Sequence, residues 1–150
     1  MPQSLSKILV HLIFSTKGRE RMIRPPVEDE LYRYMATVCE TCGCHAYRIG
    51  GTEDHIHILL NLSRTRMPAD LVEQVKEESS KWIKTKGPEY RAFAWQNGYG
   101  AFSIGQYQFD HVLRYIDAQK AHHRRRGFQD EFREFLMRYE VEFDERYVWD

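Results

Sequence analysis

The link "GGTED" at residues 50–54 joins two short apolar runs, "HAYRIGG" and "HIHILLNL". It is turn-rich and of hairpin length, so the two runs read as neighbouring antiparallel strands. On either side lies a segment with the marks of a helix. "PPVEDELYRYMATVCETCG" opens with proline and acids and ends at Gly43, with Val27, Leu31, Tyr34 and Val38 at helical spacing. "MPADLVEQVKEESSKWIKTKG" turns Leu71, Val75 and Trp82 inward and stops at Gly87-Pro88. A dense, β-branched run, Ser6 to Ser15, precedes the first helix as a buried strand. After the second helix, Asn97-Gly98 is a hairpin signal, which predicts one or two further strands.

The resulting order is β-α-β-β-α-β followed by further helices. This is an α+β fold of the ferredoxin-like, split βαβ kind, an antiparallel sheet with two helices on one face. A single domain over residues 1–150 is expected. Its core spans about residues 5–105, a third helix about 106–124, and an acidic last helix and tail about 128–150. A superfold of this kind does not by itself disclose chemistry.

Charge is balanced overall but unevenly spread. From Phe128 onward 8 acidic residues face 3 basic ones, a net of −5, while the rest of the chain carries 19 basic and 14 acidic, a net of +5. Basic residues cluster at Lys17, Arg19 and Arg21, at Arg64 and Arg66, and around Arg124 and Arg125. Clustered cations suit phosphate contacts, since each displaces condensed counterions from a nucleic-acid backbone. No apolar run approaches the roughly 18 residues of a membrane span, and the opening segment reads as a strand rather than a signal peptide. A cytoplasmic protein with no membrane partner is expected. Cys39, Cys42 and Cys44 fall within six residues. With no second cysteine pair to complete a zinc site, a helix end followed by a glycine turn explains them more simply.

In a strand alternate residues share a face, so His55 and His57 point the same way, while Ile56 and Ile58 point to the other side. Two imidazoles at this spacing can bind one metal ion; two strand histidines without a task are the plainer alternative. On the third helix Tyr115 and Gln119 lie four residues apart, hence on one face. They flank the apolar stripe Phe109, Val112 and Ile116 and stand where helix meets sheet.

"DHIHILL", followed about 60 residues later by "YIDAQ" and preceded by "VHLIFSTKGR", resembles the single-tyrosine HUH transposases of small bacterial insertion sequences. These are related to the transposases associated with repetitive extragenic palindromes. In those relatives the tyrosine helix continues into Asn-Pro, whereas this chain has Ala118-Gln119, which favours the insertion-sequence branch. The resemblance implies Tyr115 as nucleophile, and His55, His57 and Gln119 as ligands of a divalent metal, Mg²⁺ or Mn²⁺. It implies cleavage and rejoining of single-stranded DNA through a 5′-phosphotyrosine, ends chosen by DNA hairpins, and a homodimer whose tyrosine helix can complete the partner's site. Asp54 is a candidate to orient a metal ligand from behind. Trp95, Tyr99 and Phe102 are candidates to stack on bases, though core or edge aromatics explain each as well. His122 and His123 are surface or phosphate-contacting candidates.

Three other readings compete. A domesticated descendant would keep the chemistry as a single-strand nuclease or strand transferase. A histidine-triad hydrolase needs a third histidine where Leu59 stands. A ferredoxin-like nucleic-acid-binding module leaves the histidines and the Tyr-Gln pair unexplained.

Overall fold

The computed structural model describes residues 2–150. Four strands, β1 (Leu9–Ser15), β2 (His45–Gly51), β3 (His55–Asn61) and β4 (Gly100–Ile104), form one antiparallel sheet in the order β2-β3-β1-β4. Helix α1 (Pro25–Thr41) connects β1 to β2, and α2 (Pro68–Lys84) lies between β3 and β4. This is the ferredoxin-like arrangement. Helices α3 (Phe109–Asp117), α4 (Gln119–His122) and α5 (Phe128–Arg138) follow.

Strand alternation divides the sheet's side chains between two buried layers. Val10, Leu12 and Phe14 of β1, with Ile56, Ile58 and Leu60 of β3, pack under α1 and α2 against Leu31, Met35, Leu71 and Val75. The opposite face is covered by the later helices: Leu9 and Leu59 meet Val112 and Ile116 of α3, and Ile13 and Phe102 meet Phe128, Phe132 and Phe135 of α5. His11, His55 and His57 belong to this second face, each almost wholly buried. The full pairing of β1 with β3, from Leu9↔Asn61 to Ser15↔His55, fixes their height in the sheet.

Both long helices begin with proline, where the missing N–H costs nothing. Helix α1 ends as expected in a glycine turn. Gly43 adopts φ +73°, a left-handed conformation that disfavours a side chain, and Cys44 N–H returns to Cys39 C=O at 2.9 Å. The three cysteines are free and packed in the core. Met35 and Ile83 lie deeper than the expected Tyr34 and Trp82, which stack on each other at the helix boundary with ring centres 5.2 Å apart.

Two expectations are corrected. No hairpin forms at Asn97-Gly98. Lys76 of α2 donates to the carbonyls of Gln96, Asn97 and Gly98 at 2.8, 3.3 and 2.6 Å, occupying acceptors that a second strand would have used. An isolated bridge, Thr16↔Trp95, and a hydrogen bond from Ser15 N–H to Gln96 Oε1 at 2.8 Å join this segment to the sheet before β4 begins. The third helix is also not continuous to residue 124. Ala118 (φ −91°, ψ 8°) interrupts it, and Gln119 starts the single turn α4 with its side chain buried.

Candidate active site

Gly50 sets how closely the third helix approaches. It pairs with His57 across β2 and β3, and a Cβ there would fall 2.8 Å from Ile116 Cγ2 and 2.9 Å from the Ile116 carbonyl. Without a side chain at that point, α3 lies directly on the strand. Tyr115, adjacent to Ile116, is thereby brought beside the imidazoles, its ring centre 5.7 Å from that of His57. The break at Ala118 then turns Gln119 inward, where its Oε1 lies 3.0 Å from His55 Nε2.

The groups converge on Glu131 of α5. Its Oε1 is 3.0 Å from His57 Nε2 and 3.6 Å from His55 Nε2. Its Oε2 accepts from Gln119 Nε2 at 3.1 Å and from the Tyr115 hydroxyl. His123 Nε2 lies 3.1 Å from the same oxygen but makes no hydrogen bond. Behind the site, Asp54 Oδ1 is 2.6 Å from His55 Nδ1, and His11 Nε2 is 2.7 Å from His57 Nδ1. Both strand histidines are thus held at Nδ1 and present Nε2 to the centre.

A carboxylate this deeply buried needs compensation. Burial alone would raise the Glu131 carboxyl, but the charge and hydrogen bond of His57, with the close approach of His123 and His55, outweigh it and hold it well below the usual carboxylate range. Burial pushes the His57 imidazole down, with Glu131 opposing. Burial and the adjoining His57 push His11 further down. The Tyr115 phenol is pushed up, by burial first and then by the charge of Glu131.

His55, His57, His123 and Glu131 each offer a donor atom within 4.8 Å of the others. This is a mixed nitrogen–oxygen donor set of the kind that holds a divalent transition ion. The unpartnered Nε2 of His123, aimed at the carboxylate, fits a site made for a cation rather than a sealed hydrogen-bond network. Gln119 Oε1 faces the same space.

The other expected residues divide by location. Asp54 sits directly behind His55. Arg21 and Arg124 line one cavity of about 420 Å³ with Lys120, Asp54 and His123, opening beside the histidine cluster. Lys17 and Arg125 are exposed, and Arg19 lies over the Trp149 ring. Arg64 and Arg66 are not brought to the centre. They follow the far end of β3, about 20 Å from His55 at a strand's rise per residue, and Arg66 borders a groove with Asp70, Glu73, Glu77 and Glu78. Trp95 is buried with its indole N–H on Ser79 Oγ, and Phe102 is buried under Phe135, so neither offers a stacking face; Tyr99 remains partly exposed.

The sequence reading missed the roles of His11 and Glu131 and left His123 at the surface. Signals for the first two were present. His11 shares a strand face with Leu9 and Ile13 and interrupts that apolar series, and Glu131 interrupts the apolar stripe Phe128, Phe132 and Phe135.

No curated protein matches the chain. A solved structure of a candidate transposase from Deinococcus radiodurans R1 is similar at TM-score 0.61 and 21% identity, over 79% of this chain and 98% of that one. A REP-associated tyrosine transposase bound to a REP hairpin is similar at TM-score 0.61 and 13% identity, over 82% of this chain and 73% of that one. Both likenesses are of fold. The pattern of IS200-like transposases matches residues 4–119, from ahead of β1 to the inward-turned glutamine, and so takes in His55, His57, Tyr115 and Gln119. With that match over most of its length, the chain belongs to the IS200-like transposase family.

Proposed function

We propose that this protein cleaves and rejoins single-stranded DNA by metal-assisted attack of Tyr115 on a phosphodiester. The observation that carries this is the shared carboxylate: Glu131 touches the Tyr115 hydroxyl with one oxygen and His57 Nε2 with the other. A phenol poised against a metal-type donor cluster is an arrangement for transfer at phosphorus rather than for simple binding.

His55, His57 and Glu131 would hold the ion, with Gln119 and His123 as further donors. A bound divalent cation supplies positive charge that polarises the scissile phosphate and stabilises charge on the transferring oxygens. The imidazole nitrogens favour Mn²⁺ over Mg²⁺, which prefers oxygen ligands. The chain's own groups supply the rest. Tyr115 Oη forms a bond to phosphorus as the bond from phosphorus to the 3′ oxygen breaks, leaving a 5′-phosphotyrosine and a 3′-OH. The phenolic O–H is oriented by Glu131 Oε2, its present acceptor, and the proton it gives up to water on attack is balanced by the one the departing 3′ oxygen takes up. Attack by a second strand's 3′-OH reverses the exchange, so no nucleotide cofactor is needed. Arg21, Lys120 and Arg124 border the cavity beside the cluster and would meet the phosphates of the entering strand.

Tyr115 reaches the imidazoles of its own chain. In this reading a homodimer would assemble without exchange of α3. Hairpin-bearing single strands are the proposed substrate. Incubation of such oligonucleotides with the protein and Mn²⁺, followed by mass spectrometry, should find DNA linked to the peptide containing Tyr115. Tyr115→Phe should abolish the adduct while retaining DNA binding. An adduct that persists in Tyr115→Phe would remove the assignment, and a protein that binds DNA but never forms an adduct would be a binding module.

A further inference from the structure

His57 is backed by a second imidazole. His11 Nε2 lies 2.7 Å from His57 Nδ1, both rings are buried, and their centres are 5.0 Å apart at a tilt of 38°. The edge of His11 is fixed against Phe135, with ring centres 5.2 Å apart at 90°. Its strand is paired on both sides, at Leu59 and at Phe102, so its backbone cannot drift. Between two neutral imidazoles in such contact, one proton is shared by the two facing nitrogens. Where it resides decides which nitrogen of His57 is left with a lone pair. For Nε2 to face the centre as a ligand, the proton must sit on Nδ1 and His11 Nε2 must accept it.

We propose that His11 is a positioning residue of the metal centre, fixing the ring plane and tautomer of His57 so that Nε2 is the ligating atom. This rests on the metal-site reading above and extends it to a strand that supplies no ligand. The same task is done for His55 by Asp54, and the difference between the two supports follows from depth. Asp54 keeps about a quarter of its side chain exposed, 26%, so its charge is shared with water. His11 is 1% exposed. A carboxylate at that position would place a second buried anion near Glu131, with the same imidazoles to compensate both. A neutral imidazole orients its neighbour without adding charge.

The test is Mn²⁺ binding by the full chain without DNA, followed by electron paramagnetic resonance of free Mn²⁺. His11→Gln keeps an acceptor oxygen for the Nδ1–H of His57; His11→Phe keeps a ring and loses the acceptor. His11→Phe should weaken Mn²⁺ binding by about 10- to 100-fold, the range seen when outer partners of metal-bound histidines are removed, while His11→Gln should bind Mn²⁺ close to the parent and clearly tighter than His11→Phe. If His11→Phe does not fold, His11→Leu serves as the variant without an acceptor. Equal affinity in the parent and the acceptor-free variant, or equal weakening in both variants, would overturn the role of His11. Failure of the parent chain to bind Mn²⁺ at all would instead remove the metal reading and this inference with it.

Discussion

Glu131 and His57 stand 74 residues apart in the chain and 3.0 Å apart in the fold, carboxylate oxygen to Nε2. The carboxylate comes from α5, beyond the stretch that matches the family pattern, yet it is the common contact of both strand histidines, Gln119 and the tyrosine. Glu131→Gln keeps the shape and removes the charge. It should weaken Mn²⁺ binding at least tenfold, since one anionic donor is lost. It should also lower metal-free stability by about 2 kcal/mol by leaving buried donors poorly matched. Calorimetric Mn²⁺ titration and urea unfolding measure the two effects. Tighter metal binding in the variant would show that Glu131 obstructs the centre.

Stability should fall in mild acid, with a sign set by the buried imidazoles. His11 and His57 are both held below the ordinary imidazole value in the folded chain, chiefly by burial. Once unfolded they take up protons near pH 6.5, so the unfolded state binds more protons as pH falls through that value. Each histidine that stays neutral should then cost about 1.4 kcal/mol per pH unit below about pH 6.5. Urea unfolding at pH 7.5, 6.5 and 5.5, in the parent and in His11→Phe, should give a shallower pH slope in the variant. A stability independent of pH over this range would contradict the burial of both rings.

Gly50→Ala should separate α3 from the sheet. The added methyl meets backbone as well as side chain at Ile116, so rotamer changes alone cannot relieve it. Overpacking of this kind costs about 1–3 kcal/mol. Because Tyr115 precedes Ile116, adduct formation should fall more than stability predicts. Thermal melting and single-turnover cleavage of a labelled strand give the two readings. A variant with parental melting and cleavage would mean that α3 does not rest on this glycine.

The basic clusters should differ in their effect on DNA affinity. Arg21→Ala with Arg124→Ala removes two cations from the cavity beside the histidines. The slope of log affinity against log salt should become shallower by about 0.7 for each, the value for single strands. Arg64→Ala with Arg66→Ala, at the far end of β3, should change neither affinity nor slope. Fluorescence anisotropy over a salt series distinguishes the pairs, and the reverse result would place the strand on the opposite end of the sheet.

The strand and helix order was legible because each element carries its own period and its own stop signal: Pro25 and Pro68 at helix starts, Gly43 at a helix end, alternation in β3. The Asn97-Gly98 signal misled because it is local, and the competing partner, Lys76, lies on a helix 20 residues earlier. At the site, strand alternation put His55 and His57 on one face, but the roles expected of them and of Tyr115 and Gln119 came from the family resemblance, and the break at Ala118 rather than a continuous helical face turns Gln119 inward. Glu131 could not be placed that way. A single acid in an apolar stripe announces that something polar waits beneath, but the tertiary docking of α5 decides what. His123 was hidden by its basic neighbours, which made the whole "HHRRR" run read as surface.

The centre draws on β1, β3, the α3–α4 corner and α5, and these meet only once the last helix has docked over the sheet. A chain emerging from the ribosome with its first three strands paired would already display its imidazoles, but its phenol would have no seat and its carboxylate would not yet be made. On the reaction proposed above, partly synthesised chains and chains truncated before α5 would lack a complete centre and should form no DNA adduct.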